Sequence, residues 1–260
     1  MALKYSVGAR AFVMGQGSFK SAFQNGKIEI YTGAQPATAE AAVTGTLLCT
    51  ITAASAARTA EVVATGTVTL TGGASGSVNT LTVNSIEILG AAVVFNTSLT
   101  QTATDVATQI NNNLSNVEYA AVASGAVVTI SALPGTGTNP NGFVVASTVT
   151  TLTKTDVNMA SGVAAVNGLS YGKAGVATAG MVSKLVTQVW SGVNVATSTA
   201  GWYRAYGSVA DTGAIDATGL TIREDGAIAV SGAELNMSNT ALTATATTTV
   251  SQWDRTLPTL

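Results

Sequence analysis

The chain of 260 residues contains no histidine and a single cysteine. Without imidazole, neither a Ser-His-Asp nor a Cys-His nucleophile can be assembled, and the commonest transition-metal ligand is missing. Cys49 alone cannot close an intrachain disulfide or join a cysteine cluster for zinc or iron–sulfur. Within Leu47-Leu48-Cys49-Thr50-Ile51 it reads as a small buried hydrophobe. Charge is scarce too, at 9% of residues, 11 basic against 13 acidic. That leaves no basic surface to neutralise phosphates, so nucleic acid is excluded as a main partner. Hydrophobic residues reach 47%. They are mostly Ala and Val dispersed among Thr, Ser and Gly, and no apolar run approaches the roughly 20 residues of a membrane helix. A membrane partner is not expected. The opening Met1-Ala2-Leu3-Lys4-Tyr5-Ser6-Val7-Gly8 lacks the apolar block of a secretory leader, so export is not expected either.

What the chain does have is period-two alternation. The densest mix of aromatics and charges lies in residues 201–232. In Trp202-Tyr203-Arg204-Ala205-Tyr206, alternation puts Trp202, Arg204 and Tyr206 on one face of a strand and Tyr203 and Ala205 on the other. Glu224-Asp225-Gly226 reads as a tight turn, because Asp-Gly supplies the positive backbone angles of a short hairpin. Ala227, Ala229 and Ser231 then alternate with Ile228, Val230 and Gly232 as the returning strand.

From the N-terminus, glycines at 8, 15, 17 and 26 argue for an irregular arm rather than a helix, since each costs about 1 kcal/mol in a helix interior. Lys27-Ile28-Glu29-Ile30-Tyr31-Thr32 alternates as a half-buried strand that Pro36 prevents from continuing. A short helical turn is expected at 37–43 and a strand at 46–52. Residues 59–162 change texture and read as a small α+β unit inserted into its host. Strands are expected there at 65–70, 80–89, 93–97, 119–132 and 142–152. One helix starts at Ser98-Leu99-Thr100-Gln101, a capping box in which the Ser98 hydroxyl takes a free amide proton and Gln101 reaches back. Leu99, Ala103, Val106, Ala107, Ile110 and Leu114 follow at helical spacing, and Asn111-Asn112-Asn113 marks a fraying end. The host resumes with short glycine-punctuated pieces at 169–175 and 177–180. A weak strand at 182–190 follows, then a long Thr-rich strand at 240–253, and Pro258 ends the pattern. The expected fold is mainly β, with a β-sandwich or jelly-roll-like host domain (residues 1–58 and 163–260) carrying the inserted module (residues 59–162).

No catalytic, cofactor or metal site is expected. Asp211, Asp216, Glu224, Asp225 and Glu234 would have to converge on a cleft to do glycoside chemistry. Their spacing matches no calcium loop, and they read as solvated turn positions. The glycine-rich stretches at 71–77 and 135–142 lack the Gly-Lys-Ser/Thr ending of a phosphate loop. Trp202, Tyr203, Arg204 and Tyr206 are the candidates for a subunit contact, or alternatively for a sugar-stacking platform.

Ile28-Glu29-Ile30-Tyr31-Thr32-Gly33-Ala34-Gln35-Pro36-Ala37-Thr38-Ala39-Glu40 is similar to a stretch of certain tailed-bacteriophage virion proteins. Trp190-Ser191-Gly192, Thr199-Ala200-Gly201-Trp202-Tyr203-Arg204, Ala210-Asp211-Thr212-Gly213-Ala214 and Ser231-Gly232-Ala233-Glu234-Leu235-Asn236-Met237-Ser238-Asn239-Thr240 resemble the second half of that pattern. Val83-Asn84-Ser85-Ile86-Glu87-Ile88-Leu89-Gly90 and Pro140-Asn141-Gly142-Phe143-Val144-Val145-Ala146 resemble an accessory β-rich module found inserted in phage head and tail proteins. The resemblance implies a non-enzymatic component of the virion that self-assembles in many copies, at the head-to-tail collar, as capsid decoration or in the tail. Its implied partners are copies of itself and other virion structural proteins. The alternative is a carbohydrate-binding or host-adhesion module of a phage particle.

Overall fold

The computed structural model describes residues 3–173 and 180–256. Most of the piece expected at 177–180, and Pro258, lie outside them. The chain divides into two compact units, residues 1–61 with 165–260, and residues 62–164. The first opens with β1 (Lys4–Tyr5), α1 (Val7–Gly15), α2 (Phe19–Phe23), β2 (Lys27–Tyr31) and β3 (Leu47–Ala53). The second holds β4 (Thr65–Gly72), β5 (Ser77–Val83), β6 (Ile86–Glu87), β7 (Val93–Val94), α3 (Leu99–Asn112), β8 (Tyr119–Ser124), β9 (Val127–Ala132), β10 (Val145–Thr150) and β11 (Thr153–Ala160). The first then resumes with β12 (Tyr171–Lys173), β13 (Met181–Lys184), β14 (Trp190–Val193), β15 (Ser198–Thr199), β16 (Trp202–Tyr206), β17 (Arg223–Ala229), β18 (Leu235–Asn236), β19 (Ala241–Leu242), β20 (Thr247–Val250) and β21 (Asp254–Thr256). The fold is mainly β. No helix among the described residues is long and apolar enough to cross a membrane.

The first unit centres on an eight-stranded sheet in the order β1-β17-β16-β2-β3-β14-β20, with β18 alongside β17. Register places Tyr203 opposite Ile30 and Ala205 opposite Ile28, with Cys49 and Ile51 next in the row. That face is apolar and all six side chains are buried. An aromatic cluster of Phe19, Tyr171, Trp190 and Trp253, with centroids 5.1–6.0 Å apart, extends the core. Alternation sends Lys27, Glu29, Tyr31, Trp202, Arg204 and Tyr206 to the opposite face.

Several expectations for this unit fail. The N-terminal arm is helical: Ser6 caps α1 by accepting from the Ala9 N–H at 3.1 Å, and Ser18 and Ser21 form a capping box on α2. Gly8, counted against a helix, serves a close approach, for a Cβ there would lie 2.5 Å from the Thr221 carbonyl oxygen. The long strand at 240–253 is broken into β19 and β20 by a turn in which Thr245 adopts φ 68°.

In the second unit two sheets, β11-β4-β9-β8 and β10-β5-β6 with β7 also on β5, share one core with α3. The helix starts as the sequence indicates, with the Gln101 N–H on Ser98 Oγ at 3.1 Å. The Gln101 side chain does not reach back; it donates to Asp105 at 2.9 Å. Ala103, Val106, Ala107 and Ile110 form the buried stripe, and burying Val106 and Ile110 contributes about 1.5–3 kcal/mol each. Leu114 lies past the helix end and is 96% exposed. The expected strand at 80–89 is a hairpin, because Asn84 and Ser85 both take positive φ and turn the chain between β5 and β6. Gly125, at φ 57°, likewise splits 119–132 into β8 and β9. β11 follows β10 directly and was not signalled, since its charged and polar side chains obscure any apolar alternation.

Candidate functional site

The centre of the large sheet is built from β16 and β17, paired with Arg204 opposite Asp225 and Tyr203 opposite Gly226. Trp202–Tyr206 forms the expected strand, but Glu224-Asp225-Gly226 is no turn. It lies in the middle of β17 with both carboxylates fully buried. The physical reason is pairing. Arg204 Nε and Nη2 donate to the two oxygens of Asp225, each at 2.7 Å, and Arg255 Nη2 donates to Glu224 Oε1 at 2.6 Å. Gly226 is needed because a Cβ there would meet the Tyr203 hydroxyl at 2.5 Å.

The two carboxylates point to opposite faces of the sheet. On the Arg204 face, Arg223 Nε and Nη2 donate to Asp211 at 2.7 Å, and the carbonyls of Ala39, Ala41 and Ala214 take further guanidinium protons. Trp202 stacks on Tyr31 at 4.8 Å, with Arg204 5.6 Å from the indole centroid. On the other face, the Tyr203 hydroxyl donates to Glu224 at 2.6 Å, and burial, then the Glu224 charge, push its pKa well up. Arg255 lies 4.0 Å over the Trp253 ring.

Trp202, Tyr203, Arg204 and Tyr206 are therefore core residues, each 0% exposed. As placed, they offer neither a sugar platform nor a subunit contact, because the loops carrying Ala39–Ala41 and Asp211–Ala214 cover the polar face through the bonds above. The five acidic candidates do not converge. Asp211 holds Arg223, Asp216 pins its own loop, and Glu234 accepts the Ala227 N–H at 2.8 Å. Among the described residues no group of His, Cys, Asp and Glu could hold a metal ion. Cys49 is buried, and burial pushes its thiol up to about 11.

The same unit has a cleft of about 490 Å³ that the sequence did not single out, lined by Lys27, Glu29, Thr50, Thr52, Arg58 and Asp211 among others. The strand Lys27-Ile28-Glu29-Ile30-Tyr31 positions it, with its charged side chains alternating away from the isoleucines. Lys27 Nζ contacts Glu29 at 2.5 Å and lies 4.6 Å from the Tyr206 ring centroid, and the Tyr31 hydroxyl donates to Glu29 at 2.5 Å. Arg58 spends its protons on the carbonyls of Asn25 (2.9 Å), Gly207 (3.2 Å) and Ser208, and burial lowers its pKa. Each charge here already faces an opposite charge or a hydrogen-bond partner, so the cleft offers hydroxyls and neutralised ions rather than a poised acid–base pair.

Most described charges elsewhere in the protein are likewise paired or hydrogen-bonded. Among the charged residues whose side chains are described, only Arg10, Glu87 and Glu118 are exposed. No family model matches the chain, and no curated protein and no solved structure matches it.

Proposed function

We propose that this protein is a non-enzymatic structural component of a bacteriophage particle that self-associates in many copies, at the head-to-tail collar or on the capsid surface. The observation that carries this reading is the distribution of charge. Charged side chains ordinarily lie on the surface. Here most of them are drawn into pairs and caps, and the exterior is left largely to Thr, Ser, Asn and apolar residues, with Met14, Val186, Ile215 and Leu220 all more than 70% exposed. Such a surface has little charge repulsion to keep copies apart and suits contact with neighbouring subunits. The likeness of the segments around Tyr31-Thr32-Gly33 and Gly201-Trp202-Tyr203 to virion proteins supplies the particle.

Quantitative mass spectrometry of density-purified particles from a host carrying the gene tests the reading. The expected result is this chain at a fixed, multiple copy number relative to the shell protein. Its absence from particles that are otherwise complete would overturn the reading.

A further inference from the structure

Among the longer described edge strands, side chains bond the outward backbone groups of β8 and β10 in part, and an ion pair with register shifts blunts β11, whereas β20 has none of these devices. At β8, Asn116 exchanges hydrogen bonds with the N–H and C=O of Tyr119 at 3.2 and 2.9 Å, and Asn111 does the same for Ala121 at 2.9 and 2.8 Å. At β10, the N–H of Val145 goes to Asn158 at 3.2 Å and that of Ser147 to Asp156 at 2.8 Å. β11, which supplies those side chains, carries the Lys154–Asp156 ion pair and two register shifts, both of which blunt an edge. In β17, the gap between β1 and β18 is filled by Glu234 on the Ala227 N–H. In β5, the gap between β6 and β7 is filled by Glu87, which accepts the Leu81 N–H at 3.1 Å. The other edge strands are only two or three residues long.

β20 has no such cover. It ends the eight-stranded sheet, paired on one side with β14. Asn194 N–H donates to the Ala246 carbonyl at 2.9 Å, so by antiparallel alternation Thr248 and Val250 exchange bonds with β14 while the backbone groups of Thr247 and Thr249 point outward. Both residues are exposed. No hydrogen bond to their N–H or C=O groups occurs among the described residues. The strand Thr247-Thr248-Thr249-Val250 is uncharged, β-branched and free of proline, and exposed Val193 (49%) and Val195 (65%) flank it on the β14 side.

We propose that β20 is the edge through which two copies of this chain join, each adding its β20 to the other's sheet in antiparallel register. The occupant is a second copy because a strand needs an open edge to pair with, and among the described strands β20 is the edge with no side-chain bond, ion pair or register shift to close it. The contact is then isologous. Centred on Thr248, it sets Thr247 of one copy opposite Thr249 of the other, so that all their outward groups are satisfied at once. This names the partner surface for the self-association proposed above and rests on that reading.

Hydrogen exchange of the whole protein across a concentration series, with sedimentation velocity on the same samples, tests it. The expected result is a dimer whose Thr247 and Thr249 amides slow at least tenfold as it forms. Thr249→Pro removes an outward N–H without touching the β14 ladder, and Thr247→Lys places charge on the edge; both should be monomeric with an unchanged circular dichroism spectrum. Two folded variants that associate like the parent, or Thr247 and Thr249 amides that stay fast in the dimer, would overturn the edge assignment while leaving self-association standing. A parent chain that stays monomeric at the highest concentration also overturns the edge assignment. The virion reading is then decided separately by the chain's presence in particles.

Discussion

Arg204 and Asp225 face each other across β16 and β17 as a two-pronged ion pair, both contacts 2.7 Å long and neither side chain exposed to any extent. A charge pair this deep has lost its hydration, and burial raises the Asp225 pKa even against the opposing pull of Arg204. Its value to the fold lies in what happens when one partner goes. Asp225→Ala should cost about 3–5 kcal/mol, because the guanidinium is left buried and unpaired. Replacing both residues with leucine should recover much of that. Urea midpoints of the single and double variants check it, and a single-variant loss under about 1 kcal/mol would mean that water reaches the site.

Glu224 depends in the same way on the chain's last described strand. Arg255 reaches it from β21 through two contacts of 2.6 and 3.0 Å, while Glu224 Oε2 has no hydrogen-bond partner among the described residues. Arg255→Ala should therefore destabilise the protein by about 3–5 kcal/mol, and adding Glu224→Gln should restore part of the loss by removing the stranded charge. Thermal melts of the three proteins provide the comparison. An Arg255→Ala protein as stable as the parent would show that β21 adds nothing to the core.

These relationships explain what could be read from the amino-acid order and what could not. Lys27-Ile28-Glu29-Ile30-Tyr31 and Trp202–Tyr206 announce strands because alternation is local, and Ser98 announces a helix start because a cap acts three residues ahead. Glu224-Asp225-Gly226 carries the chemistry of a turn, and only Arg204 and Arg255, far along the chain, turn it into the interior of a sheet. Gly8 looks like a helix breaker until Thr221 is packed against it. The cleft at Lys27, Glu29 and Arg58 is assembled from residues that individually look like ordinary surface charges. In each case the missing information is a partner distant in sequence.

Asp216 sets the acid limit of the loop it holds. Its carboxylate accepts from the N–H groups of Thr218, Gly219 and Thr221 at 2.9–3.0 Å and from the hydroxyls of Thr218 and Thr221 at 2.7 and 2.6 Å. Burial acts to raise its pKa, but these bonds outweigh it and hold the group well below the usual carboxylate range. A folded-state pKa depressed in this way contributes stability that is complete above the unfolded value of about 3.9 and is lost as pH falls through the folded value. Asp216→Asn should therefore be less stable than the parent by a constant margin above about pH 5, with the margin narrowing as pH drops below about 4. Urea midpoints measured from pH 7 to pH 2 give the result, and a margin that does not change with pH would exclude the carboxylate as its source.

Asn111 and Asn116 supply the complementary test of how these edges are managed. Asn111 gives the outward N–H and C=O of Ala121 the two bonds a neighbouring strand would give, and Asn116 does so for Tyr119. Asn111→Leu should cost about 1–3 kcal/mol by leaving both backbone groups unsatisfied. It also opens β8 as a template for another chain, and exposed Val122 (65%) beside it adds apolar surface to that edge. Concentration-dependent light scattering should rise in Asn111→Leu relative to the parent, the reverse of the fall expected when β20 is blocked. If the variant lost stability but scattered like the parent, the asparagines would be helix anchors alone, and closure of β8 would have to come from elsewhere in the unit.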